Sequence, residues 1–533
     1  MSQHSDDSSA ERRPNIVLVM ADDMGFSDIG CYGGEIETPT VDQLAGNGVR
    51  CTQVYNNARC CPTRASLLTG AYPHRVGIGW MTHDLGTTEE YAGDLSADSV
   101  TIAEVLGDAG YATYMTGKWH LTRGEYTDAD ASKHNWPLQR GFDRFYGIVS
   151  GAASYFSPSD LTRGNERIDP DEDYYLTDAI SDEAAAFVRD HHDRDGDDPF
   201  FLYVSYTAPH WPLHATDGDI ETYEETYHKG WDAIREERYE RQIDMGLIDE
   251  DWEIAPQDAK PWDQLDDETR EKMARKMAIY AAQIDAMDQG IGRVCDTLEE
   301  TGEFENTLFL FLSDNGACAE GGFYGWDAPM GNHEEVGDDM TPIASYGRYW
   351  ANTSNTPFRR YKHWIHEGGI ATPLIAHWPD RIDGDGEFVD EMGHVIDIMA
   401  TCLDVANATY PDEYDGNEIV PMDGTSLLPA FDGASLDREA IFWEHEANRG
   451  IRTDRWKLVS KGGNGRWELY DMETDRTELH DCNTFENQSD EHRETVERLA
   501  EMWKQYADDV GVYPLDGRTH RERLEDVPEH LEH

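Results

Sequence analysis

The chain has few basic residues, few cysteines and no long apolar run. Only 44 Lys and Arg stand against 108 Asp and Glu in 533 residues, a formal net charge of −64 at pH 7. Such a surface repels phosphate groups, so we expect neither nucleic acid nor an anionic membrane as a partner. No stretch reaches the ~18 uninterrupted apolar residues of a membrane-spanning helix, and the opening MSQHSDDSSAERRP lacks the apolar core of a secretory signal. We therefore expect a soluble, cytoplasmic protein.

The acidic residues are spread along the whole chain, a distribution that favours a halophilic host in which salt screens their repulsion. The alternative, an acidic tail that captures a cationic partner, would place them in one block. Hydrophobic residues make up 38% of the chain, enough for packed cores. The eight cysteines show neither metal-binding spacing nor a dense disulfide framework. We expect a folded chain with reduced thiols.

Apolar runs alternate with amphipathic segments over the first four hundred residues, which predicts an α/β domain with a mostly parallel central sheet flanked by helices, covering residues 1–437. The predicted strands are Asn15–Met20, Tyr111–Met115, Phe200–Tyr206, Thr307–Leu312 and Thr372–Ala376. The predicted helices are Ser99–Ala109, Thr177–Asp190 and Glu271–Leu298. Residues 214–265 are rich in charge, Trp and Tyr without a clear period, and we interpret them as an insertion or lid.

From Arg438 onward, polar and apolar residues alternate between Gly, Asn and Asp turns, a pattern typical of an antiparallel meander. A helix-like segment, Glu491–Ala507, follows it. Because 533 residues exceed what one hydrophobic core supports, we predict a second, small C-terminal domain at residues 438–533, with an antiparallel sheet and a helix.

Polar side chains follow two of the predicted strands. Asp22 and Asp23 come after NIVLVM, and Asp314 and Asn315 come after TLFLFL. Ligands of parallel α/β sheets bind beyond the carboxyl ends of the strands, and these oxygen ligands suit Ca²⁺ or Mg²⁺. Each residue alone would also fit a helix cap or a turn. The two pairs together predict one hard divalent cation.

Further candidates follow other predicted strands. Lys118 and His120 stand in TGKWH, and His210 stands in TAPH. Lys362 belongs to a loop that ends in glycines before another strand. If the first of these segments stays extended, Lys118 and His120 face the same side. The alternative is a solvated lysine and a hydrogen-bonded histidine.

The stretch RCCPTRASLLTG predicts a short helix that Pro62 opens and Gly70 ends. Cys60 then lies at the helix N-terminus, where free N–H groups and the helix dipole favour an anion. Arg64, one turn later, adds a fork of donors. The segment predicts an oxyanion site.

Residues 60–64, Cys-Cys-Pro-Thr-Arg, with LLTG at 67–70, resemble the C-x-P-S/T-R-x-x-x-L-T-G signature of type I sulfatases. In that family a maturation enzyme, the formylglycine-generating enzyme, oxidises the first cysteine to Cα-formylglycine. Cys60 has the matching distance to Pro62 and Arg64, whereas Cys61 occupies the variable position. Thr63 stands where serine is commoner.

The resemblance extends over roughly the whole chain, because the other landmarks occur in family order: ADD at 21–23, TGKWHL at 116–121, PH at 209–210, SDNG at 313–316, FRRYKHWIHEGG, and ELYDMETDRTELHD. It implies an alkaline-phosphatase-like large domain, a small four-stranded C-terminal domain, and an arylsulfatase-like sulfuric ester hydrolase acting on a small-molecule or carbohydrate sulfate ester.

The resemblance also implies roles for the candidate residues. It implies a Ca²⁺ or Mg²⁺ site held by Asp22, Asp23, Cys60, Asp314 and Asn315. It implies catalytic positive charge from Arg64, Lys118 and Lys362. In the mechanism that the resemblance implies, a hydroxyl of the hydrated aldehyde at residue 60 attacks sulfur. His210 or Lys362 would protonate the departing alcohol, and His120 would take the proton of the second hydroxyl.

Two other functions stay open. A phosphonate or phosphodiester hydrolase of the same superfamily would share the metal, the aldehyde and the lysines. A non-catalytic anion-binding homologue would keep Cys60 as a thiol. No pattern in the sequence distinguishes aryl, carbohydrate and alkyl sulfates or sets the oligomeric state.

Overall fold

The computed structural model describes residues 12–83, 88–196, 198–337 and 343–513. Residues 514–533 of the predicted C-terminal domain lie outside this range. None of the described helices combines the length and the apolar content needed to span a bilayer.

One large sheet and two smaller ones contain the strands. The large sheet consists of β1 (Asn15–Ala21), β2 (Val49–Tyr55), β3 (Ala112–Lys118), β4 (Arg144–Ile148), β5 (Leu161–Arg163), β6 (Glu166–Arg167), β7 (Phe200–Ser205), β8 (Thr307–Ser313), β9 (Ala371–His377), β10 (Glu387–Val389) and β11 (Gly393–His394). The smaller sheets consist of β12 (Glu413–Tyr414) with β13 (Asn417–Glu418), and of β14 (Ile441–His445), β15 (Asn448–Arg452), β16 (Trp456–Ser460) and β17 (Trp467–Asp471).

The α-helices of the described residues vary from one turn to a very long one. They are α1 (Pro39–Gly46), α2 (Cys60–Thr69), α3 (Ile102–Asp108), α4 (Leu176–Asp195), α5 (Asp217–Tyr223), α6 (Gly230–Asp244), α7 (Asp267–Thr301), α8 (His333–Val336), α9 (Gly347–Ser354), α10 (Glu367–Ile370), α11 (Asp397–Ala406), α12 (Leu428–Phe431) and α13 (Asp490–Asp509).

The middle of the large sheet is parallel. The strand order is β10-β2-β9-β8-β1-β7-β3-β4-β5-β6, and β8, β1, β7, β3 and β4 run in one direction. Met20 of β1 pairs with Ser205 of β7, and Ala21 pairs with Ser313 of β8, so the carboxyl ends of these strands are level. Because the strand ends are level, the loops that follow them lie at one edge of the sheet, although they come from distant parts of the chain.

Helices cover both faces of the sheet because the central strands are apolar on both sides. All seven residues of β1 are buried. Val17 and Val19 face a core shared with α4 and α7, whereas Ile16 and Leu18 face one shared with α2, α3 and α11. The predicted fold class is confirmed: an α/β sheet that is mostly parallel, with a C-terminal antiparallel sheet.

Some boundaries differ from the prediction. α2 begins at Cys60, two residues before the proline that the sequence places first, and Gly70 ends it with φ 68°. β3 extends to Lys118, so the strand itself presents this lysine. Within residues 214–265, α6 buries Trp231, and its Arg238 pairs with Asp28 at 2.6 Å. This helix is a packed layer, so the lid interpretation is wrong for it.

The C-terminal sheet is antiparallel in the order β14-β15-β16-β17, and α13 packs on it. Trp443 in β14 donates its Nε1–H to the carbonyl of Asn56 at 2.8 Å, directly ahead of α2. Lys457 in β16 forms a buried ion pair with Glu367 at 2.8 Å. A hydrogen bond and a buried ion pair therefore connect the small sheet to the large domain, and the hydrogen bond lies close to the start of α2. The domain division at residue 438 stays a prediction.

Candidate active site

Three strands bring polar side chains to the carboxyl edge of the sheet. Asp22 and Asp23 follow β1, Asp314 and Asn315 follow β8, and Lys118 ends β3. Because these strands run parallel in one sheet, their ends meet. Each of the five residues is at most 1% exposed. The edge is a buried, highly charged cluster.

Asp22 lies between two cations. Lys118 Nζ donates to Asp22 Oδ2 at 2.6 Å, and Arg64 Nη2 lies 3.7 Å from Asp22 Oδ1. Arg64 Nη2 also donates to Asp314 Oδ2 at 2.9 Å. Burial, with the charges of Asp23 and Cys60, raises the pKa of Asp22 although Lys118 and Arg64 lower it, and burial with the charge of Asp22 raises the pKa of Asp314 well above its usual range. The raised pKa values show that Lys118 and Arg64 do not fully compensate the negative charge of these buried carboxylates, so the cluster would be stabilised by additional positive charge.

The fork of Arg64 is held in place from β3 and β7. Arg64 Nη1 donates to the carbonyl of Lys118 at 3.1 Å and to Ser205 Oγ. Ser205 Oγ in turn donates to the same carbonyl at 2.7 Å. Sequence reasoning missed Ser205, although its position at the end of a predicted strand was a usable signal.

Asp23 is the second centre of the cluster, and its backbone is left-handed with φ 66°. Its N–H donates to Asp314 Oδ1 at 3.1 Å, and Asn315 Nδ2 donates to Asp23 Oδ1 at 2.6 Å. Lys362 Nζ lies 2.7 Å from Asp23 Oδ1, and His210 Nε2 lies 3.4 Å from Asp23 Oδ2. A left-handed aspartate costs of order 1–3 kcal/mol, which these contacts offset.

The donor set fits a hard divalent cation. Asp22 Oδ1 and Asn315 Oδ1 are buried and accept no hydrogen bond from any described residue, whereas buried polar atoms are normally satisfied. Carboxylate and amide oxygens are the ligands that Ca²⁺ and Mg²⁺ prefer. Asp22, Asp23 and His210 also place three donor atoms within 4.8 Å of one another. His210 was not among the predicted ligands.

Cys60 and Cys61 open α2 but differ in environment. A hydrogen bond from Cys61, the neighbouring His120 and the positive charges of Lys118 and Lys362 hold the pKa of Cys60 well below its usual range against the effect of burial. Burial raises the pKa of Cys61 well above its usual range. The Sγ of Cys61 lies 3.7 Å from His120 Nε2. Of these two thiols at the helix N-terminus, Cys60 is the one whose surroundings favour the charged form.

His120 and His210 are both buried, and burial lowers the pKa of each to about 4. β3 ends at Lys118 and His120 has φ 54°, so the extended segment under which Lys118 and His120 would face the same side does not continue to His120. His210 Nδ1 lies 2.6 Å from the carbonyl of Trp211. Nδ1 therefore carries the proton and donates it there, which leaves Nε2 as the atom that faces the cluster.

Comparison with known proteins shows which family this chain resembles over most of its length. The sulfatase family profile matches residues 14–408, and the profile of the N-sulphoglucosamine sulphohydrolase C-terminal region matches residues 359–505. An uncharacterized sulfatase of Schizosaccharomyces pombe is 33% identical over 540 residues, which cover 94% of each chain. The arylsulfatase of Klebsiella aerogenes is 33% identical over 439 residues, 78% of this chain and 92% of that one.

The chain belongs to the sulfatase family. It is a hydrolase of sulfate esters, and the expectation drawn from the signature at Cys60 is confirmed at this level.

Solved structures show the same fold as this sulfatase. The structure of Ps i-CgsB in complex with k-i-k-neocarrahexaose has a TM-score of 0.68 at 24% identity and covers 97% of this chain and 98% of its own. The structure of BT4656 in complex with its substrate D-Glucosamine-2-N, 6-O-disulfate has a TM-score of 0.64 at 21% identity, covering 95% and 100%.

The fold of the sulfatase gathers the predicted site residues in one place. The buried cluster and its border contain Asp22, Asp23, Cys60, Arg64, Lys118, His120, His210, Asp314, Asn315 and Lys362. Their individual roles in the reaction stay predictions.

The border of the sulfatase site contains an acid that sequence reasoning missed. Glu320 pairs with Arg59 at 2.9 Å and accepts a hydrogen bond from Trp211 Nε1 at 2.8 Å. Burial alone would raise the pKa of Glu320, but Lys362 and Arg59 hold it well below the usual range. The signal was weak: Arg59 precedes the signature cysteine, and Glu320 follows SDNG by four residues.

A cleft of about 270 Å³ opens next to Lys362 and is lined by Arg59, Ala319, Glu320, Tyr361, Lys362, His363 and Trp364. The turn between β14 and β15 supports this cleft from the C-terminal sheet. Its Glu446 accepts a hydrogen bond from Trp80 Nε1 at 2.8 Å and pairs with His363 Nδ1 at 2.9 Å. The C-terminal sheet of the sulfatase thus contacts the cleft beside Lys362.

Proposed function

We propose that this sulfatase uses residue 60, converted to Cα-formylglycine, as its nucleophile, together with one hard divalent cation, Ca²⁺ or else Mg²⁺. The observation that carries the proposal is the position of Cys60. It is the first residue of α2 and 2% exposed, in the same field as Lys118, His120 and Lys362.

The cation would be held by the oxygen atoms at the ends of β1 and β8, those of Asp22, Asp23, Asp314 and Asn315, together with the side chain of residue 60. When bound, it supplies positive charge to the sulfate oxygens and makes a neighbouring hydroxyl more acidic. The two buried oxygens without hydrogen-bond donors, Asp22 Oδ1 and Asn315 Oδ1, support this assignment.

The chain's own cations would receive the sulfate group. Sulfate-ester oxygens are negatively charged and repel a nucleophile, so fixed positive charge must stand around them before sulfur is attacked. Arg64, Lys118 and Lys362 are at most 4% exposed, and each is held by a carboxylate of the cluster. Their positions are therefore set before the substrate arrives.

Proton transfer would fall to the groups beside the cluster. The hydrated aldehyde offers two hydroxyl groups on one carbon, one for attack on sulfur and one for release of sulfate. His120 is neutral at pH 7, as a base for the second hydroxyl must be. For the departing alcohol we favour Lys362 over His210, because His210 Nδ1 donates its proton to the Trp211 carbonyl.

The two adjacent cysteines provide a matched test. We expect Cys60→Ala to abolish hydrolysis of 4-nitrophenyl sulfate and Cys61→Ala to retain most of it. Mass spectrometry of the active enzyme should find an aldehyde at residue 60, and chelation should lower activity until Ca²⁺ is restored. Equal losses from both substitutions, or a fully active enzyme with a thiol at residue 60, would disprove the assignment.

We also propose that the sulfatase works at high salt. With 108 acidic and 44 basic residues, its surface repels itself strongly in dilute buffer. At molar salt the repulsion is screened over roughly 3 Å.

A further inference from the structure

A second cavity, of about 420 Å³, lies beside the cleft and is lined mostly by donors. Its lining residues are Pro256, Gln257, Asp258, Arg348, Asn352, Arg359, Arg360 and Leu479. Three arginines meet here in a chain that has 44 basic residues against 108 acidic ones. Asp258 is the single carboxylate among the lining residues.

The positive charge of this cavity is only partly neutralised. Arg348 Nε donates to Asp258 Oδ2 at 2.8 Å. Arg359 donates to the carbonyl of Glu478 at 2.8 Å, and Arg360 stacks on Trp364 with its guanidinium carbon 4.9 Å from the ring centre. Within the part of the chain that the structure describes, neither Arg359 nor Arg360 forms an ion pair with a carboxylate. The lining residues thus carry three positive charges and one negative charge.

Neutral donors of the same cavity also lack partners. Asn352 is fully buried, and its Oδ1 accepts a hydrogen bond from the N–H of Asp258 at 2.9 Å, which fixes the amide orientation. Its Nδ2 and the Nε2 of Gln257 find no acceptor among the described residues. Buried donors without acceptors are uncommon in folded proteins. Among the side chains that line the cavity, hydrogen-bond donors therefore outnumber carboxylates, which favours an anion over a cation.

The wall between this cavity and the cleft is one side chain thick. Tyr361 lines the cleft, and its hydroxyl donates to Asp258 Oδ2 of the cavity at 3.2 Å. Trp364 lines the cleft as well, and Arg360 of the cavity lies on its ring. Arg360 also precedes Lys362 by only two residues. The cleft and the cavity are therefore neighbouring spaces, and only an ester with an extended alcohol part would connect a sulfate group at Lys362 with these arginines.

We infer that the cavity around Arg359 and Arg360 is an anion subsite that binds a second sulfate or carboxylate group on the alcohol part of the substrate. The inference rests on the proposed function, because it places the scissile sulfate at Lys362. It assigns to this sulfatase a preference for esters with two or more anionic groups, such as oligosulfated or acidic carbohydrates.

The test uses aryl disulfonates of graded spacing, which resist hydrolysis, each with its monosulfonate counterpart. Their inhibition of 4-nitrophenyl sulfate hydrolysis is measured for the wild type, for Arg360→Gln, and for the double variant Arg359→Gln/Arg360→Gln. Because a hydrogen bond to a charged group is worth roughly tenfold to a hundredfold in affinity, at least one disulfonate should inhibit the wild type ten times more strongly than its monosulfonate. That advantage should shrink in the single variant and vanish in the double variant.

Controls separate loss of the subsite from loss of the fold or of catalysis. All variants should keep kcat/KM for 4-nitrophenyl sulfate, whose alcohol carries no second anion. Arg498→Gln on α13 removes the same charge from a distant exposed position and should change nothing. Calorimetric titration of the Cys60→Ala variant with the same sulfonates measures binding without turnover, so failure of the proposed nucleophile cannot be mistaken for failure of the subsite. No advantage in the wild type, or an advantage that survives in the double variant, would overturn the inference.

Discussion

Charged side chains are arranged differently at the centre of the molecule and on its surface. At the sheet edge, Arg64 and Lys118 are fully buried, and they pair with carboxylates at 2.9 Å and 2.6 Å. On the surface, side chains such as Asp267 and Glu225 are 97% and 95% exposed, within a net charge of −64. The first arrangement is specific and shielded from solvent ions, whereas the second is diffuse and depends on them. The same residue types thus form specific pairs at the site, whereas on the surface they produce the repulsion from which we propose that the sulfatase works at high salt.

The largest effect should follow from breaking the buried arrangement at Arg64. Arg64→Gln leaves Asp22 and Asp314 buried without their shared cation. We expect the free energy of unfolding to fall by about 3–5 kcal/mol. We also expect kcat to fall roughly 10²–10³-fold, because under the proposed function the sulfate group loses a fixed donor. Denaturant titration and 4-nitrophenyl sulfate kinetics measure the two losses.

The matched surface change is Arg189→Gln. Arg189 lies 3.5 Å from Glu300, and the two side chains are 53% and 67% exposed. An exposed pair of this kind contributes less than about 1 kcal/mol, so stability and activity should stay close to wild type. If both substitutions lowered stability equally, the contrast between centre and surface would be wrong.

A smaller effect should come from salt acting on the whole surface. Between 0.1 and 2 M NaCl we expect Tm to rise by more than about 5 °C, because the Debye length shrinks to a few ångströms. The stability deficit of Arg64→Gln relative to wild type should stay nearly constant over this range, since ions do not reach the buried cluster. An uncharged osmolyte at equal osmolality serves as the control. A Tm that falls or stays level with salt would contradict the halophilic interpretation.

Much of the cluster was predictable because it depends on local patterns. Strand ends are visible in the sequence, and a parallel sheet forces them to one edge, so Asp22, Asp314 and Lys118 could be placed together from the sequence alone. The start of α2 was harder, since Pro62 is a helix-start signal, whereas the structure begins the helix at Cys60. Local patterns thus give the elements but not their terminal turns.

The cleft beside Lys362 was not predictable, because it depends on contacts between distant parts of the chain. Glu446 meets Trp80 across 366 positions, and Glu320 meets Arg59 across 261. The sequence around Glu446 and Glu320 has no pattern that distinguishes them from the many acidic residues on the surface. Only the packing of the C-terminal sheet against the large one distinguishes Glu446, and that packing has no short-range signature.

The smallest effect that we predict is on the pH dependence of stability. It compares a buried histidine that lies away from the site with an exposed one. His377, at the end of β9, packs against Phe304, and burial lowers its pKa to about 4 from 6.5. Between these two pH values the unfolded chain binds a proton that the folded chain does not, so acidification destabilises the fold. The free energy of unfolding falls when the pH is lowered from 7 to 5. In His377→Gln this fall should be smaller than in the wild type by ~1 kcal/mol. His192→Gln, at an exposed position of α4, is the matched control, and both are compared by denaturant titration at constant high salt. An unchanged pH dependence in His377→Gln would show that His377 takes up its proton equally in both states.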